Sequence, residues 1–472
     1  MDSQLQDVFQ PMSFEHWLNL VKSSVKKEEL VQALQFQDED DITINAIYLP
    51  EEQARTTFKK PLKIPKLRQW IWLNNNLDFS EITKSTQENE TNSIEFFGDF
   101  PSDNDIFLQT LSTINPAETP LYFDLGESNT SLCFILFDDL SRHLISPESC
   151  LGGINFDPLA ALAFIGKYTY SPSEMYKTIE AIFSEGGKLL PRFKLIGINA
   201  TSFADAGASP ALELALALSL FDAYRIILSD YPLEEIPKKV QIRLSAHSEF
   251  LVNISKFKAW HILWHNYKEV FHNTFSADPE VVAVITWNSY TAFDVHNNLI
   301  RQTLQVLSSA LGGCDTWLIP SYEIPRNIPT GKSLRLSRNV ALLLQHETDL
   351  KEAVALAEDA PFFENYGSRL AEKAWEYFLE FQKKGGYETC IQKGIIQRLV
   401  WENIEKKVKK INLEQKVVVG GNKYYNTNEN LRNLPPLPFR FQKAQGNTNL
   451  PTIKELQLLR TLEELRIKHL GK

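Results

Sequence analysis

The chain has 472 residues, of which 43% are hydrophobic and 23% are charged, a balance typical of a globular protein with a large core. This length accommodates one large barrel with extensions, or two to three ordinary domains. The formal net charge of -10 argues against a nucleic-acid partner recognised through its phosphates, and against anionic membrane surfaces, because both require clustered Lys and Arg.

The four cysteines indicate neither a zinc site nor a disulfide framework. Cys133, Cys150, Cys314 and Cys390 are far apart and form no C-x-x-C pair, as in proteins of a reducing compartment. The N-terminus lacks a basic segment followed by an apolar run, and no segment approaches the roughly 18 apolar residues of a membrane span. We therefore expect a cytoplasmic protein with no metal site.

The N-terminal part predicts an arm rather than a domain. Residues 12–24 carry apolar side chains at spacings of three and four, which predicts an amphipathic helix that lies against another surface. ITINAIYL at 42–49 has the pattern of a short strand, and FKKPLKIPKLRQWIWL at 58–73 is an extended segment interrupted by proline. Segments of the latter kind more often wrap a neighbouring domain or a partner chain than fold alone. We assign residues 1–92 to an N-terminal arm.

From residue 93 to residue 433, short apolar strands alternate with longer helical stretches. Most of the strands are continuous runs of apolar residues and do not alternate between apolar and polar residues. This pattern is typical of strands buried on both faces of a parallel sheet. An eight-stranded β/α barrel of the α/β class is the simplest closure of this pattern, and an open doubly wound sheet is the alternative. The predicted strands span residues 93–100, 120–126, 132–137, 151–157, 193–200, 240–246, 281–288 and 314–320.

Helices are predicted at 210–228, 250–275 and 295–311, and after the barrel at 338–358, 366–384 and 387–410. The proline-rich LPPLPF at 434–439 marks a boundary, and residues 434–472 are assigned to a linker and a C-terminal helix. Along that helix an apolar stripe recurs every three residues, at Ile453, Leu456, Leu459, Leu462 and Leu465. Either a partner helix or the body of the protein could cover this stripe.

Nine segments, in order along the chain, resemble the adenosylcobalamin-dependent methylmalonyl-CoA mutase family. They include LRQW, LGGINFDPLAALA, INATSFADAGASPALELALAL, WNSYTAFDVHNNLIRQTLQVLSSALGG, LRLSRNVALLLQHE and VVGGNKY. The catalytic domain of that family is a β/α barrel with the coenzyme A tail threaded along its axis. The resemblance therefore implies a barrel here too.

The resemblance also implies that the cobalamin-binding domain is missing. Family members that perform the chemistry carry a second, flavodoxin-like domain with a D-x-H-x-x-G motif whose His ligates cobalt. Such a domain needs about 100 residues or more, whereas a proline-rich linker and one helix follow Tyr425. The D-x-H sequence at Asp294 and His296 has Leu299 where the Gly should be, and we expect His296 to be solvated or locally hydrogen-bonded. No cofactor is expected to bind this chain alone.

Five positions that match the family's substrate site carry altered residues. Trp70 occupies the position of a Tyr near the radical centre of the family. Asn155 occupies the position of a thioester-binding Gln, whose side chain is one methylene longer. Ile165 falls at or next to the Arg that clamps the substrate carboxylate, and Thr201 and Ser202 take the places of a Tyr-His pair. Loss of a positioned proton donor costs about 10²- to 10⁴-fold in rate. The resemblance thus implies that this chain contributes no catalytic residue.

Two functions remain open. The first is the non-catalytic small subunit of a heterodimeric methylmalonyl-CoA mutase, whose large subunit binds adenosylcobalamin and interconverts methylmalonyl-CoA and succinyl-CoA. The second is the barrel subunit of a split acyl-CoA mutase, with Ser202, Asn155 and His247 reshaping specificity and the cobalamin domain on another chain. An enzyme of the second kind should retain the hydroxyl and the imidazole that Trp70 and Ser202 replace, so the first is favoured. The same departures argue against acyl-CoA binding by this chain.

Other clusters of ionisable residues are predicted to be solvated. The acidic runs 38–41 and 138–139 occur in polar contexts, and the lysines at 406–410 have the pattern of an exposed helix face. His247 follows the strand 240–246 and so lies at the mouth where barrel enzymes place their catalytic residues. As an isolated His it is predicted to be a packed or exposed residue rather than a metal ligand.

Overall fold

Eight parallel strands occupy the centre of the molecule. They are β1 (Lys66–Leu73), β2 (Ser93–Gly98), β3 (Leu121–Asp124), β4 (Gly152–Ile154), β5 (Ile196–Asn199), β6 (Val240–Ala246), β7 (Glu280–Ile285) and β8 (Thr316–Ile319). β1 to β4 and β5 to β8 pair in sequence order, and β8 pairs with β1. The bridge between Gly153 and Lys194 links β4 to the start of β5, and the Ile154 amide donates to the Lys194 carbonyl at 2.9 Å. The predicted β/α barrel is confirmed.

Helices surround this barrel on the outside. They are α1 (Phe14–Ser24), α2 (Asn104–Leu111), α3 (Thr130–His143), α4 (Pro158–Ile165), α5 (Pro172–Leu189), α6 (Ala200–Asp205), α7 (Pro210–Ile227), α8 (Phe250–Val270), α9 (Asn297–Gly312), α10 (Gly331–His346), α11 (Leu350–Ala357), α12 (Pro361–Lys383), α13 (Gly386–Gln392) and α14 (Ile395–Asn412). Among these helices none combines the length and apolar character needed to cross a membrane.

This computed structural model describes most of the chain, with gaps. The described residues are 12–24, 34–45, 47–48, 63–73, 92–100, 104–112, 114–126, 129–143, 147–168, 171–272, 274–275, 277–358, 360–424, 426, 428–429 and 450–453. The boundary predicted at 434–439 and most of the predicted C-terminal helix lie outside them. So does the start of the extended segment predicted at 58–73.

One predicted strand is a helix, and part of one segment predicted to lie outside the barrel is a strand of it. Residues 132–137 belong to the helix α3, since Cys133, Leu136, Phe137 and Leu140 are buried at the three- and four-residue spacing of a helix face. Residues 66–73 belong to the segment that we expected to wrap a neighbouring domain or a partner chain. They form β1, hydrogen-bonded between β2 and β8. The barrel therefore begins before the predicted boundary at residue 93.

Alternation along the strands divides the core into two parts. On β1, Leu67 and Ile71 face the surrounding helices and join the large core outside the sheet. Trp70 points the other way and packs with Phe97 and Leu318 in a separate cluster inside the barrel. Side chains on this inner face determine whether the barrel axis is open.

The local sequence explains where α4 begins. Asp157 precedes α4, and its carboxylate accepts the Ala160 amide at 3.0 Å, with Pro158 at the first helical position. The same carboxylate accepts the Asn199 amide at 2.7 Å and the Tyr224 hydroxyl at 2.7 Å. Asp157 thus joins the end of β4, the end of β5 and the helix α7, which is buried along most of its length as the apolar sequence predicts.

The later helix predictions are confirmed with shifted bounds. The helix predicted at 338–358 starts earlier, at Gly331, and is divided into α10 and α11 around residues 347–349. The helix predicted at 387–410 is divided into α13 and α14 at Gly394, whose φ of 69° is readily adopted by glycine. At the N-terminus α1 confirms the predicted helix, whereas the predicted strand 42–49 is reduced to Thr43–Ile44.

Candidate functional site

Aromatic side chains fill the upper part of the barrel interior, toward the carboxyl ends of the strands. Trp70 on β1 is 2% exposed. Its ring centroid lies 4.4 Å from that of Phe97 on β2 and 4.9 Å from that of Trp287, which follows β7. Val282 and Val284 of β7 complete this cluster. Position 70 therefore holds a packed indole ring in contact with other aromatic rings.

A network of buried charges lies next to this aromatic cluster. Arg68 of β1 pairs with Glu95 of β2 at 3.1 Å and with Glu280 of β7 at 3.1 Å. Arg243 of β6 pairs with Glu95 at 2.8 Å and with Asp124 of β3 at 3.4 Å. The side chains of both arginines and of Glu95 are at most 1% exposed. The Arg243 pairs connect strands on opposite sides of the barrel, and the Arg68 pairs connect strands that are adjacent or next but one.

Neutral polar groups extend the charge network. Gln241 of β6 donates to Glu280 at 2.8 Å and accepts from Arg68 at 3.2 Å. The Thr316 hydroxyl of β8 donates to Glu280 at 2.7 Å, and the Arg68 guanidinium carbon lies 3.3 Å from the Tyr122 ring centroid. Six of the eight strands thus contribute to one network. We expect it to be strongly coupled, because a buried charge without its partner is costly.

The ionisation of the network follows from its contacts. Burial opposes the charged form of Glu280, but Arg68 and Lys194 outweigh this effect and hold its pKa below the usual value. Burial also opposes the charged form of Arg68, and Tyr122, Glu280 and Glu95 reverse the effect, so that its pKa is raised. For Tyr122, burial followed by the charge of Glu280 raises the pKa. Arg68 and Glu280 are therefore charged and the Tyr122 phenol is neutral at pH 7.

The sequence contained a signal for this network that its apolar pattern obscured. Three of the strands involved carry one charged residue between apolar neighbours: I-E-F at Glu95, F-D-L at Asp124 and I-R-L at Arg243. A lone charge inside a buried strand requires a partner. The partner cannot be identified until the strands are placed around the barrel.

Asn155, Thr201 and Ser202 lie together at the carboxyl ends of β4 and β5. Asn155 is 1% exposed, and a Cβ on Gly197 would lie 2.2 Å from its Oδ1 atom. Among the described residues, its amide oxygen and nitrogen have no hydrogen-bond partner. The Thr201 hydroxyl donates to the Arg243 carbonyl at 3.0 Å, and Ser202 is 2% exposed on α6. Together with Trp70, these three residues make four of the five predicted positions that lie in the barrel interior or at its rim.

Ile165 lies apart from the other four positions. It is the last residue of α4, outside the sheet, and is 5% exposed. With Leu162, Phe156 and Met175 it lines an apolar pocket that reaches the surface beside α5. The structure does not bring Ile165 together with Trp70, and this position offers no cationic group.

His247 lies at the barrel mouth, as its place after β6 predicts. Its Nδ1 atom is 3.3 Å from the Thr286 hydroxyl, and its Nε2 atom is shielded from solvent with no partner in the described part of the chain. Burial, followed by the charge of Lys256, lowers the pKa of His247 to about 3. The imidazole is therefore neutral at pH 7. Nearby, Glu249 forms an ion pair with Lys416.

The acidic run 38–41 is not a solvated turn, contrary to prediction. Asp40 is 4% exposed, accepts the Ala211 amide at 2.9 Å at the start of α7, and also accepts the Ser209 hydroxyl. The predicted lysine face of α14 lies against the same run, with Lys407 3.1 Å from Glu39. Two clusters that are far apart in sequence therefore meet beside the segment that carries Ser202.

A comparison with protein families decides the membership of the chain. The model of the family described as methylmalonyl-CoA mutase matches residues 106–462. The chain belongs to the methylmalonyl-CoA mutase family. The resemblance stated from the sequence is confirmed.

Individual mutase-family relatives cover the chain to different extents. The small subunit of methylmalonyl-CoA mutase from Porphyromonas gingivalis (strain ATCC BAA-308 / W83) is 23% identical over 446 residues, covering 89% of this chain and 71% of the relative. The methylmalonyl-CoA mutase of Rhizobium meliloti (strain 1021) is 25% identical over 60% of this chain. The large subunit from Propionibacterium freudenreichii subsp. shermanii is 25% identical over 62%. The chain spans 41% and 40% of the lengths of these last two relatives.

The D-x-H sequence of this mutase-family chain does not fit a cobalamin ligand. Asp294 accepts from Asn426 at 2.9 Å, and its amide donates to Glu429 at 2.7 Å. His296 is exposed just before α9, with its ring 5.6 Å from that of Tyr322. Within the described ranges, no group of three or more His, Cys, Asp or Glu could hold a metal ion. No step through cobalamin follows from these residues.

Proposed function

We propose that this chain is the non-catalytic small subunit of a heterodimeric methylmalonyl-CoA mutase. The observation that carries the proposal is the network that joins Arg68, Glu95, Arg243 and Asp124 across the barrel axis, where the family threads its coenzyme A tail. In the proposed complex the large subunit binds adenosylcobalamin and interconverts methylmalonyl-CoA and succinyl-CoA. The similarity to a small subunit over 89% of the chain supports this role.

Displacing the network would be costly for a ligand. A pantetheine chain on the axis would have to separate Arg243 from Glu95, leaving charges buried without partners. Breaking a buried pair by removing one partner costs about 3 to 5 kcal/mol. The uncharged pantetheine arm has no group that would compensate either charge. The cost of separating these charges supports the expectation that the chain does not bind acyl-CoA.

The altered positions support the absence of chemistry. Trp70 and Ser202 supply neither a phenol nor an imidazole, and the Thr201 hydroxyl is engaged with a backbone carbonyl. An ionic hydrogen bond to a substrate carboxylate contributes roughly 1.5 to 3 kcal/mol, and Ile165 cannot form one. A chain without these groups and with a filled axis serves its complex as structural support. We place the complex in the cytoplasm, in keeping with a coenzyme A thioester substrate.

The alternative is the barrel subunit of a split acyl-CoA mutase. The neutral His247 imidazole at the barrel mouth and the unpartnered Asn155 amide favour it, since both could meet an acyl group. The alternative requires an open axis, and the ion pairs of Arg68 and Arg243 argue against that. A binding measurement on the isolated chain separates the two proposals.

The test uses the chain alone, a large subunit from the same organism, and the two purified together. We expect a stable one-to-one complex, and no isomerisation by this chain when adenosylcobalamin is supplied. Equilibrium dialysis should detect no succinyl-CoA binding to the chain alone up to about 1 mM, the upper end of ordinary KM values. The large subunit is the positive control.

A matched variant tests whether the altered positions or the filled axis prevents turnover. The double variant Trp70→Tyr, Ser202→His restores the phenol and the imidazole and leaves Arg68, Glu95 and Arg243 in place. We expect it to remain inactive alone, because the axis stays filled. Turnover by the unmodified chain with a separate cobalamin-binding protein would support the alternative. A chain that stays monomeric and does not bind the large subunit would contradict the small-subunit role.

A further inference from the structure

A short acidic hairpin, residues 36–44, fixes the N-terminal arm to the outside of the barrel. Its two strands, Phe36–Gln37 and Thr43–Ile44, pair in antiparallel orientation. Ile42 and Ile44 are 9% and 2% exposed and belong to the large core outside the sheet. By contrast, no residue of α1 is buried. Of these two described parts of the arm, the acidic hairpin carries the anchoring contacts.

Two aspartates in the turn of the acidic hairpin bind it to neighbouring helices. Asp40 accepts the Ala211 amide at 2.9 Å at the start of α7, and its other oxygen accepts the Ser209 hydroxyl. Asp38 accepts the Tyr366 hydroxyl of α12 at 2.7 Å. Because Asp40 is buried against α7, release of the hairpin would transfer its carboxyl group from the protein to water.

The cations of α14 pair with the outer acids of the hairpin. Lys407 lies 3.1 Å from Glu39, and Lys406 lies 3.5 Å from Asp41. The Asp41 side chain is 72% exposed, so its pair contributes little to stability. In the described part of the chain, Asp40 thus depends on a hydroxyl and an amide for its contacts, whereas Glu39 and Asp41 have cationic partners.

The ionisable groups on α7 and α12 leave the Asp40 carboxyl without a cation. On α7, Glu213 is paired with Lys256 at 2.6 Å. On α12, Arg369 donates to a hairpin carbonyl at 2.8 Å. Burial raises the pKa of Tyr366 and of Tyr377, so both phenols are neutral near pH 7.

Protonation of Asp40 is therefore linked to docking of the hairpin. Burial raises the pKa of Asp40 from 3.8 to about 7, and the charges of Asp38 and Glu39 act in the same direction. Burial also raises the pKa of Asp38. In a released hairpin the Asp40 carboxyl would regain its ordinary pKa. Since the docked form binds the proton more tightly, docking weakens as pH rises from about 4 to about 7.

We propose that the acidic hairpin is a proton-linked latch, which holds the N-terminal arm against α7 and α12 while Asp40 is protonated and loosens when that proton passes to solvent. Loosening leaves the Ala211 amide without its acceptor, and it uncovers Ile42 and Ile44. Amides of the hairpin and of Ala211 therefore report on the latch directly. The inference does not depend on the proposed small-subunit function.

Hydrogen exchange of the full-length chain, followed by mass spectrometry between pH 5 and pH 8, tests the latch. Each exchange rate is divided by the rate of an unstructured peptide at the same pH, which gives a protection factor. Protection of the hairpin and of the start of α7 should fall by about 10- to 100-fold over this range, as the pKa difference of Asp40 implies. At every pH the hairpin should exchange faster than α8, because it opens without the barrel.

Matched variants assign the effect to Asp40. Asp40→Asn keeps an acceptor and cannot ionise, so its protection should change less than about threefold. Asp41→Asn alters the same turn at an exposed position and should keep the wild-type change. Ser209→Ala removes a hydrogen bond that favours the ionised form of Asp40. It should therefore move the midpoint of the change to higher pH, an effect that loss of a purely structural contact would not produce.

Four results would overturn the latch. They are protection of the hairpin that does not vary with pH, a wild-type change in Asp40→Asn, an unmoved midpoint in Ser209→Ala, and exchange of the hairpin at the same rate as α8. The last result would mean that the hairpin opens only when the whole barrel unfolds.

Discussion

At the scale of single residues, the buried charges inside the barrel decide whether its axis is open. Glu95 accepts from Arg68 on one oxygen and faces Arg243 on the other. One carboxylate therefore holds two arginines that come from strands on different sides of the axis. Such a group is a stronger obstacle to an axial ligand than an apolar side chain, because moving it exposes charges that no longer have partners.

We predict that Arg243→Leu destabilises the chain by about 3 to 5 kcal/mol, because Glu95 and Asp124 are left buried without a cation. The triple variant Arg243→Leu, Glu95→Leu, Asp124→Leu should recover most of that loss, since apolar groups can replace a whole buried network. Urea unfolding measures both. Arg142→Ala is the control, because the Arg142 pair with Asp138 is exposed and exposed pairs contribute little.

A mild effect of Arg243→Leu, close to that of Arg142→Ala, would contradict the network. It would mean that water reaches Glu95 and Asp124, and that the barrel axis is more open than the ion pairs indicate. The same result would weaken the small-subunit proposal, because the filled axis is the observation that carries it.

A second residue-scale prediction concerns pH. Burial is the main cause that raises the pKa of Asp40 from 3.8 to about 7, against the hydrogen bonds from Ser209 and Ala211. Since the folded value exceeds the unfolded one, this group lowers stability progressively as pH rises from about 4 to about 7. Asp40→Asn keeps an acceptor for the Ala211 amide and cannot ionise.

The free energy of unfolding of the wild-type chain should therefore fall more between pH 5 and pH 8 than that of Asp40→Asn. The difference between the two proteins removes the contribution that the other titrating groups make to the pH dependence of stability. Identical slopes would show that Asp40 is ionised in the folded state throughout this range, and that its two hydrogen bonds outweigh its burial.

At the scale of elements, α14 lies across the segment that follows α6. Gly207 has a φ of 117°, and a Cβ there would lie 2.7 Å from the Cβ of Ile404 on α14. Lys407, one turn further, donates to the Ala208 carbonyl at 3.2 Å. The close approach of this helix therefore depends on a glycine in the loop that follows Ser202.

We predict that Gly207→Ala costs about 1 to 3 kcal/mol, because the methyl group meets Ile404 and the backbone conformation disfavours an L side chain. Gly187→Ala is the matched control. Gly187 lies in α5, and a Cβ there has its nearest neighbour at 3.9 Å, so alanine should stabilise by roughly 0.5 to 1 kcal/mol through helix propensity. Thermal unfolding measures both, and similar effects of the two changes would contradict the contact.

Element identity could be predicted from the sequence where periodicity was clear. The apolar runs at 240–246 and 281–288 gave strands close to the observed β6 and β7. LCFILF failed because six consecutive apolar residues fit a buried strand and a buried helix equally well. The segment at 58–73 failed because its prolines stand before the strand, and only the pairing of β1 with β8 shows where it belongs.

At the scale of the whole molecule, the proposed complex has a thermodynamic consequence. A partner that binds the folded chain alone stabilises it by mass action, by about 2.7 kcal/mol at a hundredfold excess over Kd. We predict that the large subunit raises the melting temperature of this chain in a concentration-dependent way. The variant Trp70→Tyr, Ser202→His should show the same rise, since its changes lie inside the barrel. An unchanged melting temperature would contradict the complex.

Part of the candidate site could be predicted and part could not. Motif resemblance located Trp70, Asn155, Thr201 and Ser202, and the structure confirms that these four lie in the barrel interior and rim. Ile165 came from the same resemblance, but the structure places it in an outer pocket. The roles assigned to all five stay predictions that the variants above can test.

The sequence by itself indicated the family and the barrel, because motifs and apolar periodicity are local properties of the chain, and it predicted the loss of particular functional groups. Only the tertiary structure decided what fills the barrel. Arg68, Glu95, Asp124 and Arg243 lie on four strands separated by up to 175 residues of sequence, and closure of the sheet brings them within ion-pair distance. Charge pairing acts through space, so no local pattern can reveal it.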